Sequence, residues 1–228
     1  MNYADRMILS LDCESEKALA LVDYFINYFD VYKIGFSLLI SDEWKTIVNY
    51  LKHKNKMIIV DINLFGNTHI IKKTFNYIKK FPIDYVTINL LGGADMIKIA
   101  KDTLDDDVQL IGNTLHTSYT TTCVKQTLFA KCNINDQVER LTRIGVQNGV
   151  DGIICSGHDN FKVEKYNVNI FNNGIRYKYP YIDHNRVSSP YEAFKNGADY
   201  IFIGREIYDN ENPFLRYQEI KGSLNALY

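Results

Sequence analysis

The chain has little of what marks several protein classes. Its four cysteines, Cys13, Cys123, Cys132 and Cys155, are scattered with no CxxC pair. That argues against a disulfide framework or a zinc ribbon and reads them as small hydrophobes, Cys155 on a buried strand. No run approaches the roughly 18 apolar residues of a membrane-spanning helix, and the opening MNYADRMILSLD meets an acid before any signal-like core develops. The expected location is therefore cytoplasmic, with no membrane partner. With 26 basic and 27 acidic residues the formal charge is -1, which supplies no field to draw nucleic acid. His69, His116, His158 and His184 form neither HxH nor HExxH, so surface or hydrogen-bonding roles are expected of them and no metal site is. No Pro/Gly/Ser-rich linker or low-complexity tract interrupts the chain. At 228 residues, 46% hydrophobic, it is expected to form one domain over residues 1–228.

What is present is a regular alternation. Apolar runs that read as strands occur at residues 7–11, 30–36, 56–62, 84–88, 108–114, 152–155, within 167–171, and at 199–204. Between them lie helix-period segments at 15–28, 41–53, 68–80, from the glycine turn at Gly92 and Gly93 to 101, one or two helices reaching Asn148, and 190–196, with a last helix from Pro213 to Leu227. Eight strands with intervening helices in a chain of this length fit an α/β (βα)8 TIM barrel better than a doubly wound sheet, which needs fewer strands. Such a barrel places function at the C-terminal ends of its strands. There the sequence offers Asp12, Lys33, Asp61, Asn63, Asn89, Ser118, Arg176, His184, Gly204 and Arg205.

The central stretch is IIVDINLFGNT, residues 58–68. A buried apolar run ends in Asp61 and Asn63, one pleat apart and so expected on one face. Asp12, Lys33 and Asp61 end the first three strands, where a lysine between two carboxylates keeps its charge and orients ligand hydroxyls. A buried structural salt bridge explains the same spacing equally well. In IFIGRE, Gly204 and Arg205 follow the eighth strand, where glycine permits close backbone approach and arginine holds a phosphate by its rigid fork.

LSLDC at 9–13, VYKIG at 31–35, VDIN at 60–63, VTINLLGGADM at 86–96, HTS at 116–118, DGIICS at 151–156, NGIR at 173–176, DHNRV at 183–187 and PYEAFKNGADYIFIGREIY at 190–208 together resemble the orotidine 5'-phosphate decarboxylase family, in order, in spacing and over nearly the whole chain. The resemblance implies a barrel of the ribulose-phosphate-binding type, no cofactor, and a phosphorylated small-molecule ligand, with UMP and OMP the candidates. It also makes a homodimer the candidate assembly. It carries ribose contacts to Asp12 and Lys33, a base contact to Ser118, a phosphate contact to Gly204 and Arg205, and ligand-facing places to Thr68 and to His184, which stands where the family has glutamine. The family's Asp-x-Lys-x-x-Asp pattern keeps Asp61, but Asn63 stands in the place of the proton-donating lysine and Gly66 in that of the second aspartate. Asn89 stands where histidine is usual, and the loop from Gly66 to Asn67 is shortened.

Three readings follow. In the first, the barrel binds a phosphorylated ligand such as a pyrimidine nucleotide, with the parent decarboxylation lost or altered around Asp61, Lys33 and Asn63. In the second it is an active, cofactor-independent carboxy-lyase that forms UMP and carbon dioxide with another proton donor. In the third it is a non-catalytic interaction barrel.

Overall fold

The computed structural model describes residues 2–128, 133–178 and 185–227. Eight parallel strands pair in chain order and close on themselves: β1 (Met7–Leu11), β2 (Val31–Ile34), β3 (Met57–Leu64), β4 (Tyr85–Asn89), β5 (Gln109–Asn113), β6 (Gly152–Ser156), β7 (Asn169–Asn173) and β8 (Tyr200–Ile203), with β1 bonded to both β2 and β8. The principal helices between them are α1 (Ser15–Phe25), α2 (Phe36–Leu39), α3 (Trp44–His53), α4 (Thr68–Ile78), α5 (Gly93–Lys101), α6 (Thr121–Thr127) and α7 (Ile134–Gln147). The second half of the barrel adds α8 (Asn160–Val163), α9 (Pro190–Lys195), α10 (Arg205–Tyr208) and α11 (Pro213–Ser223).

All eight expected strands are present, with local differences that have local causes. β2 stops at Ile34, because Gly35 turns the chain into the short, unanticipated α2. α1 ends at Phe25, three residues early, and Glu14 rather than Ser15 occupies its N-cap position. α3 begins at Trp44 rather than Ser41. β7 lies two residues later than expected, at Asn169–Asn173. Ser189 caps α9 reciprocally with Glu192, with Pro190 in the first turn, the arrangement that satisfies the free N–H groups of a helix start.

The largest departure is in β3, which continues past Asp61 to Leu64. Val60 pairs with Val86 and Leu64 with Ile88, so four steps on β3 face two on β4. Asn63, within this irregularity, has φ of 42°, a left-handed conformation that asparagine tolerates better than most residues. Simple alternation therefore does not carry Asn63 to the mouth of the barrel; a bulge does.

Two apolar layers hold the fold. Outward-facing strand residues such as Leu9, Ile34, Val60, Ile88 and Ile203 pack against the helices. Inside the barrel, Ile8, Val31, Ile59, Ile111, Ile154, Phe171 and Phe202 fill the lower part, with Tyr85 and Tyr200 against them. Phe171 stacks on Tyr200 at 4.9 Å between centroids and lies 5.9 Å from Phe202, so this plug is the floor on which the polar mouth rests. Truncating Phe171→Ala should cost about 3–5 kcal/mol, read as a lowered urea midpoint at unchanged slope.

Candidate active site

Above the plug, the next inward-facing residues are polar. Lys33 reaches from β2 between two carboxylates, its Nζ donating to Asp61 Oδ2 at 2.7 Å and to the two oxygens of Asp12 at 3.1 and 3.2 Å. Thr87 on β4 donates to Asp61 Oδ1 at 2.7 Å and accepts the Asn63 backbone N–H at 2.8 Å. The β3 bulge thus hangs on the same threonine that orients Asp61. Burial alone would lower the Lys33 pKa, but the charges of Asp61 and Asp12 outweigh it and hold the ammonium above the usual lysine range. Burial would likewise raise Asp61, yet Lys33, Thr87 and, more weakly, the charge of His116 bring its carboxyl below the usual aspartate range. Lys33 is therefore a fixed cation and a poor acid, and Asp61 a fixed anion. Gly35 makes the clamp possible, since a Cβ there would fall 1.6 Å from Asp12 Oδ1.

The β7–β8 side carries the opposite emphasis. Arg176, just past β7, and Gly204 and Arg205, just past β8, line the same cavity as Asp12, Lys33 and Asp61, a space of about 510 Å³. Glu206 binds them into one structure. It is buried, pairs with Arg216 at 3.0 Å, and accepts the Tyr177 backbone N–H at 3.1 Å. The residues following Arg176 and Arg205 are thereby locked together. Because α10 is a single turn, the positive character of this side comes from the guanidinium groups rather than from a helix dipole. Tyr208 donates its hydroxyl to the Asp12 carbonyl at 3.1 Å, joining the cation side to the clamp.

The third wall comes from the segment after β5. His116 and Thr117 line the cavity, and His116 Nε2 lies 3.3 Å from Asn63 Nδ2. The loop is held from behind. Arg186 pairs with fully buried Asp159 and donates to the carbonyls of Leu115 at 3.3 Å and His116 at 3.1 Å, while the backbone N–H groups of Asn185 and Arg186 both donate to Thr117 O. Asn135 Nδ2 supplies a second bond to Asp159 at 2.9 Å.

Of the residues anticipated from sequence, Asp12, Lys33, Asp61, Arg176, Gly204 and Arg205 converge on this cavity. Asn63 touches it through His116. Thr68 is exposed as the first residue of α4, and Ser118 is exposed with its carbonyl bonded to Asn185. Neither lines the cavity, and Thr117 occupies the wall expected of Ser118. Asn89 turns its oxygen to the Leu91 N–H at 3.0 Å and serves the turn after β4. His184 lies outside the described residues. Sequence reasoning missed His116, Thr117, Asn173 and Tyr208. The signal for His116 is present in HTS at 116–118, two residues before the serine that the resemblance singles out.

A model of the orotidine 5'-phosphate decarboxylase / HUMPS family matches residues 5–220. A protein named orotidine 5'-phosphate decarboxylase from Wigglesworthia glossinidia brevipalpis is 36% identical over 203 residues, covering 86% of each chain. One of the same name from Aquifex aeolicus is 32% identical over 222 residues, covering 91% of this chain and 93% of the relative. Among solved structures, orotidine 5'-phosphate decarboxylase from Lactobacillus acidophilus aligns with a TM-score of 0.77 at 23% identity, over 97% of this chain and 99% of that one.

The clamp has a measurable signature. Lys33→Met should cost about 3–5 kcal/mol near neutral pH, because it leaves the Asp61 charge buried without its cation. Asp61 has a depressed folded pKa, so its contribution is present above the ordinary aspartate range and lost as pH falls through the folded value. Lys33 has a raised one, so its contribution is present below the ordinary lysine range and lost as pH climbs through the folded value. The stability difference between wild type and Lys33→Met, followed by urea denaturation, should accordingly shrink on the acid side.

Proposed function

Because the chain belongs to the orotidine 5'-phosphate decarboxylase / HUMPS family, we propose that it binds a pyrimidine nucleoside 5'-monophosphate across this cavity and decarboxylates the orotidine form through an altered reaction centre. One observation carries the reading: a single cavity has two arginines and a close-approach glycine at one side and a lysine held between two carboxylates at the other. A phosphate is recognised by Arg205, Gly204 and Arg176, and the ribose hydroxyls by Asp12 and Lys33. With those ends occupied, the base falls to the remaining wall, between Asp61 and the His116–Thr117 segment. Asp61, held ionised, opposes a substrate carboxylate set beside it and favours its departure as neutral carbon dioxide. The reaction centre is altered because Asn63 stands where the resemblance to the family implies a proton-donating lysine, and a neutral amide does not supply a proton.

The assembly belongs to the same proposal. Phe36 and Ile40 around α2 and Tyr77 on α4 are 62%, 73% and 47% exposed and border one groove of about 330 Å³ that also takes in Leu39 and Trp44. Ile70, 45% exposed, lies about two helical turns before Tyr77 on α4. An apolar face of this kind suits a twofold contact between copies of the chain.

Calorimetric titration should show UMP and OMP binding. Arg205→Ala should weaken UMP by about tenfold or more, the loss of a charge-assisted bond. No binding of either nucleotide would sink the reading. Loss of orotate absorbance with equal release of carbon dioxide is the expected turnover signal, and binding without turnover would leave only the nucleotide-binding half. In sedimentation equilibrium the wild type should run as a dimer and Ile40→Asp as a monomer; a monomeric wild type would overturn the assembly.

A further inference from the structure

Among the described residues, Asn63, Lys33 and His116 are the candidates to deliver a proton at the base end of the cavity, and two are unsuited. Asn63 is neutral. Lys33 has its ammonium shared between Asp12 and Asp61 and held above the usual lysine range, so releasing a proton would leave two carboxylates facing each other without a cation. The third is His116, and it lies at the end of Asn63's own reach. The Asn63 amide extends from the bulge toward the cavity, and one hydrogen bond of 3.3 Å beyond its Nδ2 is the imidazole Nε2. A hydrogen bond plus a short side chain spans much of what a lysine's longer stem would span from the same backbone position.

We infer that His116 is the proton donor of this reaction centre, with Asn63 as the residue that positions its ring. The inference rests on the binding and turnover proposed above. In the step, the bond between the pyrimidine ring and its carboxyl group breaks with its electron pair left on the ring carbon, and carbon dioxide departs. That carbon takes the Nδ1 proton of the His116 imidazolium, whose Nε2 side is held by Asn63, leaving neutral imidazole. The exposed ring then regains a proton from water at the open mouth. The balance is one substrate and one proton in, UMP and carbon dioxide out. Histidine is suited because it exchanges its proton near neutral pH.

The Asn63 amide fits both halves of this cycle. As it stands, Nδ2 donates to an unprotonated Nε2, while Asn63 Oδ1 is buried with no hydrogen-bond partner among the described residues. A half-turn of the amide presents Oδ1 to a protonated Nε2–H. The same side chain therefore serves the ring before and after proton transfer, which a lysine or an aspartate here would not. Around the ring stand Asp61 from β3 and Lys33 from β2, Tyr119 with its ring centroid at 5.6 Å, and Arg186 on the His116 carbonyl; Asp12, Arg176 and Arg205 line the same cavity. Asp61 and Lys33 stay charged through the neutral range, so neither of them contributes a pH dependence there.

The test compares wild type with His116→Gln, which keeps a hydrogen-bonding side chain but no transferable proton. UMP binding by calorimetry should weaken by no more than about tenfold, the loss of one wall contact, while kcat for orotidine monophosphate falls roughly 10²–10⁴-fold. Wild-type kcat should decline as rising pH removes the transferable proton, and that limb should be missing in the variant. Turnover by His116→Gln at the wild-type level with the same pH limb overturns the assignment to His116 alone and leaves the binding reading intact. A wild-type kcat without the limb overturns it even where the variant fails to fold. Wild type that binds UMP but releases no carbon dioxide overturns this inference together with the catalytic half of the proposed function, and absence of UMP binding overturns the proposed function itself.

Discussion

The mouth of the barrel depends on one buried cation. Lys33 is 7% exposed in its side chain and bridges Asp12 after β1 to Asp61 on β3, so three consecutive strands end in one ion cluster. Neither carboxylate is fully dry, Asp12 being 43% and Asp61 17% exposed, and this sets the division of labour. Asp61 carries the electrostatic burden inside, while Asp12 stays accessible to a ligand. Desolvating a lone lysine at this depth would be costly; two carboxylates within hydrogen-bond distance make it a permanent charge. The close approach at Gly35 and the Thr87 bond to Asp61 are the steric and polar supports of that cluster.

A second buried ion pair organises the opposite wall. Asp159 sits fully buried beyond β6, and Arg186 comes to it from the segment before α9. Burial raises the Asp159 pKa, with Arg186 acting against it, which shows the cost of placing a carboxylate here. What the pair provides is position: the second terminal nitrogen of the guanidinium reaches the carbonyls of Leu115 and His116. Three loops, from the ends of β5, β6 and β7, are thus pinned at one point. His116 projects from an irregular segment whose backbone is nonetheless fixed, as a side chain that works at an open mouth must be.

The two clusters meet at Asn63. Its backbone N–H belongs to the Thr87–Asp61–Lys33 side, and its amide belongs to the His116 side. The left-handed φ and the bulge place it between them, and local irregularity of this kind accompanies functional positions in many folds. A strand of regular pleat would bring Asp61 and Asn63 out together on one face and leave no bridge between the walls.

Much of this was legible in the chain itself. Apolar runs and their spacing determined eight strands and a closed parallel barrel, because hydrophobic periodicity is a local property that burial merely realises. Barrel geometry then placed Asp12, Lys33, Asp61, Gly204 and Arg205 at strand ends, where they are found together. What only the tertiary structure decided was whatever depends on distant segments meeting. The β3 bulge follows from a register with β4 that no reading of β3 alone contains. Ser118 and Thr68 fell outside the cavity because loop and helix-start residues point where their anchors direct them. Conversely, His116 entered the site because a residue seventy positions later in the chain holds its carbonyl. Residue types and their order determine which charges are available; side-chain distances set by the folded backbone determine which of them can act on one another.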